Sequence, residues 1–194
     1  MKYFVFAVLF VALAAAPVFA DEANMVYNPG FEMALNGWGT GGSGVWLGAD
    51  GQASANAAYA WIGGYGWQDI TITDPLQALK ISGWVSDSSD DKLGTGGYVS
   101  FRLEFKDDDG NILNEWDSDK IYGTGLGLSW TELSGIATPG SGVAKATLVW
   151  ETQGSGNGTG KFDNFSVSAV PEPVSTAFFL LGGVTLLARR LRRK

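Results

Sequence analysis

The sequence predicts an all-β fold, an antiparallel β-sandwich, and three observations support this. Apolar residues recur with a period of two in several short segments, and no part of residues 21–169 sustains a helical spacing of 3.6. Glycine makes up 28 of the 194 residues and clusters between the apolar stretches, often with aspartate. Short apolar segments roughly 8–15 residues apart, separated by turn residues, are typical of a sandwich.

The first twenty residues differ from this domain. Lys2 precedes a continuously apolar run over residues 4–16, and Val18 and Ala20 occupy positions −3 and −1 of a cleavage site. This is the layout of a secretory signal peptide, residues 1–20, which we expect to form a helix and to be removed after Ala20. A membrane anchor is the weaker interpretation, because the run is short for a bilayer span.

The domain itself, residues 21–169, contains about ten strand candidates. Val99, Phe101, Leu103 and Phe105 predict the clearest strand, with one buried face and one wet face, and Asp109-Gly110 then predicts a hairpin turn. We expect Trp38, Trp130 and Trp150 to pack in the core. The predicted strands are, in order, 25–27 with 31–32, 45–47, 58–62, 67–72, 78–85, 98–106, 112–117, 130–136, 144–151 and 161–169.

Residues 170–194 form a tail whose sequence pattern differs from both the first twenty residues and the domain. Pro-Glu-Pro at 171–173 is followed by an apolar run at 174–188 and a basic end at 189–194. As a helix the run would be about 22 Å long at ~1.5 Å per residue, which is short for a hydrocarbon core of ~30 Å. We therefore expect a short transmembrane helix, with its basic end in the cytoplasm and the domain outside. A permanent one-helix anchor is the alternative to a tail that is cut.

Composition excludes several kinds of site. The chain has no cysteine and no histidine, which removes disulfides, Ser-His-Asp triads and most zinc or copper sites. Residues 21–169 carry seven basic and nineteen acidic residues, a formal charge of −12. Such a body disfavours nucleic acid and anionic lipid, and it suits calcium or a neutral ligand. The charge also fits a simple requirement for solubility.

Several strings in the chain resemble known families. NPGFEMALNGW (28–38), LKISGWV (79–85), YVSFRLEFKDDDGN (98–111) and GKFDNFSVS (160–168) together resemble a galactose-binding-like jelly-roll domain of the kind found in carbohydrate-binding modules. The tail resembles a PEP-CTERM sorting signal through Pro171, Glu172, Pro173, Arg189 and Arg190. That second resemblance implies cleavage by a membrane exosortase in a Gram-negative, polysaccharide-producing bacterium.

Glu32 and Asp163 are the candidate metal ligands. Alternation from Phe165 and Val167 predicts that Asp163 points inward, where a carboxylate needs a cationic partner. Glu32 follows Phe31 near the other end of the domain, and no nearby lysine or arginine obviously serves either group. A calcium ion between the first and last strands would satisfy both. The alternative is that both carboxylates lie at strand ends in water. The jelly-roll resemblance favours the metal, because it implies one structural Ca²⁺ held by this pair.

Five aromatic residues are candidates for sugar contacts, because a pyranose has an apolar face and polar edges. By alternation, Trp67 lies on the strand face opposite Ile70 and Ile72, and Trp84 on the face opposite Ile81 and Val85. Neither tryptophan is therefore expected to face the core. The other three lie in or beside glycine-rich connections: Trp46, Trp61 and Tyr65. Burial in the core is the competing interpretation for each of them.

The sequence therefore predicts an exported, non-enzymatic protein. Its domain is expected to bind carbohydrate or exopolysaccharide. The tail is expected to hold it transiently in the inner membrane, before exosortase releases it to the outer envelope or extracellular matrix. A structural matrix or biofilm protein without defined glycan binding is the alternative, and a polysaccharide hydrolase is less favoured, because no catalytic motif accompanies the acidic residues.

Overall fold

The computed structural model describes residues 23–171, which form an antiparallel sandwich of two β-sheets. The strands of this part of the chain are β1 Gly39–Gly41, β2 Val45–Ala49, β3 Asn56–Trp61, β4 Tyr65–Thr71, β5 Leu79–Asp87, β6 Gly97–Lys106, β7 Ile112–Asp117, β8 Ile121–Tyr122, β9 Thr131–Ala137, β10 Lys145–Gly154 and β11 Thr159–Ala169. The predicted signal helix, the transmembrane segment and the sorting motif from Glu172 onward lie outside the described residues.

Sheet A has the strand order β1–β4–β10–β6–β7, and β8 also pairs with β6. Sheet B has the order β2–β3–β11–β5–β9. Neighbouring strands pair antiparallel throughout. The predicted all-β sandwich is therefore confirmed. Between residues 23 and 171 no helix is both long enough and apolar enough to traverse a bilayer.

The core lies between the sheets and follows the predicted alternation of β6. Val99, Phe101, Leu103 and Phe105 are all buried, and they face apolar residues of β5 and β11 such as Ile81 and Phe162. The predicted core positions of Trp38 and Trp150 are confirmed. Trp130 is only half-buried, and its ring lies 5.0 Å from the ammonium of Lys161, so its predicted core position is wrong.

The first predicted strand pair, 25–27 with 31–32, is also wrong. Asn28, Phe31 and Ala34 have left-handed φ values of 49°, 56° and 60°, and the first strand of the described chain begins only at Gly39. The side chain of Asn28 stabilises the resulting loop, because its Oδ1 accepts from the amide of Met33 and its Nδ2 donates to the carbonyl of Ala34. Val26 and Phe31 are buried in the core as the pattern suggested, but a loop and not a strand holds them there.

Candidate functional site

An exposed aromatic pair stands on the outer face of sheet A. Tyr65 and Trp67 alternate along β4 with the buried Gly66 and Gln68. The two side chains are 38% and 37% exposed, and their ring centroids lie 5.8 Å apart at an interplanar angle of 32°. Two neighbouring aromatic faces at this angle form a nearly continuous apolar platform.

Strand β1 makes room for this platform. Gly39 lies opposite Trp67 in the register and Gly41 lies opposite Tyr65. A Cβ at Gly39 would overlap the indole of Trp67, and a Cβ at Gly41 would come within 2.7 Å of the Tyr65 phenol. The two glycines therefore allow the rings to lie across the edge strand.

Polar side chains from three strands cover the sheet beside the aromatic pair. Together they line an open cleft of about 440 Å³. The lining residues are Tyr65, Trp67 and Asp69 from β4, Arg102, Glu104 and Lys106 from β6, Lys145, Thr147 and Val149 from β10, and Gly110 from the β6–β7 turn. An aromatic platform bordered by convergent polar groups can hold a ring that has one apolar face and polar edges.

The polar residues form one connected network. Arg102 Nε donates to Glu104 Oε1 at 2.8 Å, and Arg102 Nη1 donates to Glu151 Oε2 at 2.8 Å. Lys106 Nζ lies 2.8 Å from Glu104 Oε2 and donates to Thr147 Oγ1 at 2.9 Å. The Thr147 hydroxyl in turn donates to Asp69 Oδ1 at 2.7 Å. The network thus crosses the sheet and holds its side chains in fixed positions.

Glu104 is the centre of this network. Its side chain is only 10% exposed, although the sequence placed it on a wet face. Burial alone would raise the pKa of this carboxyl. Hydrogen bonds from Lys106 and Arg102, with the positive charges of both, hold the pKa below its ordinary value of 4.5. Glu104 is therefore ionised at neutral pH.

The structure divides the five predicted sugar residues between the two sheets. Tyr65 and Trp67 line the cleft of sheet A. Trp46 and Trp61 lie together in sheet B, with ring centroids 5.1 Å apart, and Trp61 is 51% exposed. Trp84 is half-buried in β5, between Glu132 of β9 and Asp163 of β11. The five predicted residues therefore do not form a single site.

Asp163 is completely buried, but not for the predicted reason. A β-bulge shifts the register between Asp163 and Ser166, and Asn164 adopts a φ of 48°, so Asp163 does not continue the inward row of Phe165. Its Oδ2 accepts from the amide of Gln52 at 2.7 Å and from Ser54 Oγ at 2.9 Å. Its Oδ1 accepts from the amide of Asn164 at 2.8 Å.

Glu32 is exposed, and its Oε1 accepts from the amide of Asn56 at 3.2 Å. Burial raises the pKa of Asp163 despite its hydrogen bonds, and the negative charge of Glu32 raises it further. Two carbonyl oxygens lie beside the hydroxyl that donates to Asp163, since Ser54 Oγ is 2.9 Å from the carbonyl of Asn56 and 3.5 Å from that of Gly30. Within residues 23–171 no lysine or arginine forms an ion pair with Asp163.

The described part of the chain brings no group of three or more acidic residues together in a metal-binding arrangement. A site at Glu32 and Asp163 would therefore depend on two carboxylates and neutral oxygens. Such an all-oxygen donor set fits Ca²⁺, which accepts carboxylate and carbonyl ligands together.

Sequence reasoning missed the polar half of the cleft. The alternation of YVSFRLEFK did put Arg102, Glu104 and Lys106 on one outer face, but the partners of that face were not predictable. They come from β4 and β10, whose register places Thr147 beside both Glu104 and Asp69. The spacing of Gly39 and Gly41 was a usable signal, because two glycines two residues apart leave one face of a strand bare.

Several solved structures share this fold. TmCBM61, solved in complex with β-1,4-galactotriose, is 18% identical, with a TM-score of 0.53 over 76% of this chain and 99% of that one. The CBM22-1 xylan-binding domain of Paenibacillus barcinonensis Xyn10C is 16% identical, with a TM-score of 0.53 over 71% and 88% of the two chains. The enzymatically active domain of tailspike protein 4 from bacteriophage CBA120 is 16% identical, with a TM-score of 0.56 over 76% of this chain.

The match spans only 21% of the tailspike chain. At these identities the likeness shows the fold, a jelly-roll sandwich shared with carbohydrate-binding modules. No family model and no curated protein matches the chain.

Proposed function

We propose that the jelly-roll domain is a non-catalytic module that binds a polysaccharide chain along the cleft of sheet A. The observation that carries the proposal is the exposed Tyr65–Trp67 platform beside an ordered row of polar groups. A sugar ring would stack on the aromatic faces, while its hydroxyls exchange hydrogen bonds with the charged residues of the cleft. TmCBM61 and the CBM22 domains, which share the fold, support this choice of ligand class.

The cleft is open along the sheet, and it holds its donors and acceptors in place before a ligand arrives. The hydrogen bonds among Arg102, Glu104 and Lys106 fix long side chains that would otherwise lose rotamer freedom on binding. A preorganised face of this kind suits reversible binding of an extended chain. Enzymatic hydrolysis would require one carboxyl group with a raised pKa as the acid, and Glu104, whose pKa is lowered, does not suit that role.

The test compares two exposed tryptophans. Trp67→Ala is expected to lower retention of residues 21–169 in affinity electrophoresis against neutral polysaccharides by at least about tenfold, as for a central aromatic contact. Trp61→Ala is the matched control, because it removes an indole that is at least as exposed from sheet B. Its retention is expected to stay near that of the unmodified domain. Equal retention of all three proteins would contradict a cleft site.

The other outcomes distinguish the remaining interpretations. A loss with Trp61→Ala would instead place the saccharide on the sheet B residues, with Trp46 and Trp84 as further candidates. An absence of glycan binding would favour the structural matrix protein. Release of soluble sugar from a polysaccharide would indicate a hydrolase.

We also propose one structural calcium ion at Asp163 and Glu32. The buried Asp163 carboxylate without a cationic partner supports it, as do the neighbouring carbonyl oxygens of Gly30 and Asn56. When bound, calcium would supply positive charge beside Asp163, whose pKa is raised by burial and by the negative charge of Glu32. Its role would be to fasten the loops around residues 30 and 52 to β11.

The location of the protein is the last part of the proposal. The signal peptide would export the chain, and the tail would hold it in the inner membrane until an exosortase cuts near Pro171, Glu172 and Pro173. The domain would then reach the outer envelope or the extracellular polysaccharide. The support is the sequence of both termini, since Glu172 and the segment after it lie outside the described residues.

A further inference from the structure

The cleft contains an unexpected concentration of positive charge. Arg102, Lys106 and Lys145 line it, and they are three of the seven basic residues in 23–171. The body around them is strongly acidic. Three free cations in one cleft would attract an acidic polysaccharide, because a uronate carboxylate pairs well with arginine and lysine.

These cations are not free, however. The two oxygens of Glu104 are divided between Arg102 and Lys106, each at 2.8 Å. Arg102 has a second carboxylate, Glu151, also at 2.8 Å. Lys145 lies 3.7 Å from Asp69, a more exposed and weaker pair. Three carboxylates therefore balance three cations, and Glu104 alone is paired with two of them.

We infer that Glu104 is a specificity-determining residue that makes the cleft select uncharged polysaccharides and reject uronate-bearing ones. The inference rests on the proposed function. A sugar hydroxyl can both donate to a carboxylate of the network and accept from its cations, so a neutral ring uses the network as it stands. A uronate would have to displace Glu104 from a cation or face its charge, and it would also meet the repulsion of the acidic body.

Glu104→Gln tests this directly, because glutamine keeps the shape of the side chain and removes its charge. The probes are neutral xylan and polygalacturonate in affinity electrophoresis at low and high salt. The unmodified domain is expected to be retained by the neutral polymer only. The variant should gain about tenfold in retention by polygalacturonate, and high salt should reduce this gain because it arises from attraction between opposite charges.

Two further variants keep the test decisive. Glu132→Gln makes the same change in net charge on an exposed position of sheet B and is expected to gain nothing. Glu151→Gln frees Arg102 from its second carboxylate, and it should give a smaller gain if Glu104→Gln proves too unstable to purify.

Preferential retention of the unmodified domain by polygalacturonate would overturn the inference, as would a folded Glu104→Gln domain with no gain. Either result would leave a glycan site in the cleft intact. An unmodified domain that binds neither of these polymers nor any other glycan would instead overturn the proposed function, and this inference with it.

Discussion

At the scale of single residues, the buried carboxylate of Asp163 accepts four hydrogen bonds, from Gln52, from Ser54 and twice from Asn164, so a conservative substitution there should have a measurable effect. Asp163→Asn is expected to cost about 1–3 kcal/mol of unfolding free energy, because an amide NH₂ would face groups that donate. If Asp163 also binds calcium, EDTA should lower the melting temperature of the unmodified domain and leave that of the variant unchanged. Thermal melting with and without added Ca²⁺ measures both effects.

Asp108→Asn is the matched control, since Asp108 lies in the exposed turn after β6. It should keep the full response to EDTA. An unmodified domain whose melting temperature ignores both EDTA and calcium would remove the calcium proposal, although it would leave the hydrogen bonds of Asp163 as the reason for its burial.

At the residue scale, the sequence pattern predicted the burial of Asp163 but not its cause, and it missed the burial of Glu104. Asp163 was expected inside from the alternation of its neighbours, yet the bulge at Asn164 breaks that alternation and a loop covers the carboxylate. Glu104 was expected in water, yet its two cationic neighbours bury it. Both differences arise from contacts between residues far apart in the sequence, which a local period of two does not contain.

At the element scale, β1 determines the shape of the binding face. Gly39→Ala is expected to displace the Trp67 indole from the platform and to lower polysaccharide retention several-fold, about one order of magnitude at most. The melting temperature should change little, because β1 is a short edge strand outside the core. Affinity electrophoresis and thermal melting give the two values.

Thr40→Ala in the same strand is the control that distinguishes displacement of the Trp67 ring from a general disturbance of β1. Thr40 is exposed and lies opposite Gly66, away from the register positions of the two rings. Its retention should match that of the unmodified domain. Equal losses with both substitutions would mean that β1 acts through the stability of the sheet edge.

The elements that were predictable from sequence are those with a strong local pattern. Strands β6 and β10 show long alternation, and their predicted bounds lie within three residues of the observed ones. Strand β1 is Gly-Thr-Gly and has no apolar pattern at all. Residues 25–32 have apolar side chains in the spacing of a strand, but their left-handed backbone positions depend on the side-chain hydrogen bonds of Asn28. Tertiary contacts thus decide the weaker segments.

For the molecule as a whole, the acidic domain and the basic tail have opposite charge. The domain pairs the three cations of its cleft with carboxylates, whereas the last six residues contain five basic residues and no acidic one. Such a basic end fits the cytoplasmic side of a membrane, and an acidic domain fits a medium of polysaccharide. Under the proposed sorting route, we therefore expect a step that removes the tail before the domain reaches the matrix.

Mass spectrometry of the protein from its native envelope tests that step. The mature protein is expected to begin at Asp21 and to lack Arg189 and every residue after it, with its new C-terminus near Pro171. Replacing Glu172 and Pro173 by alanine should leave the tail in place and keep the protein in the inner membrane fraction. A mature protein that retains residues 189–194 would instead make the tail a permanent anchor, because only cleavage removes the basic end from the cytoplasmic side.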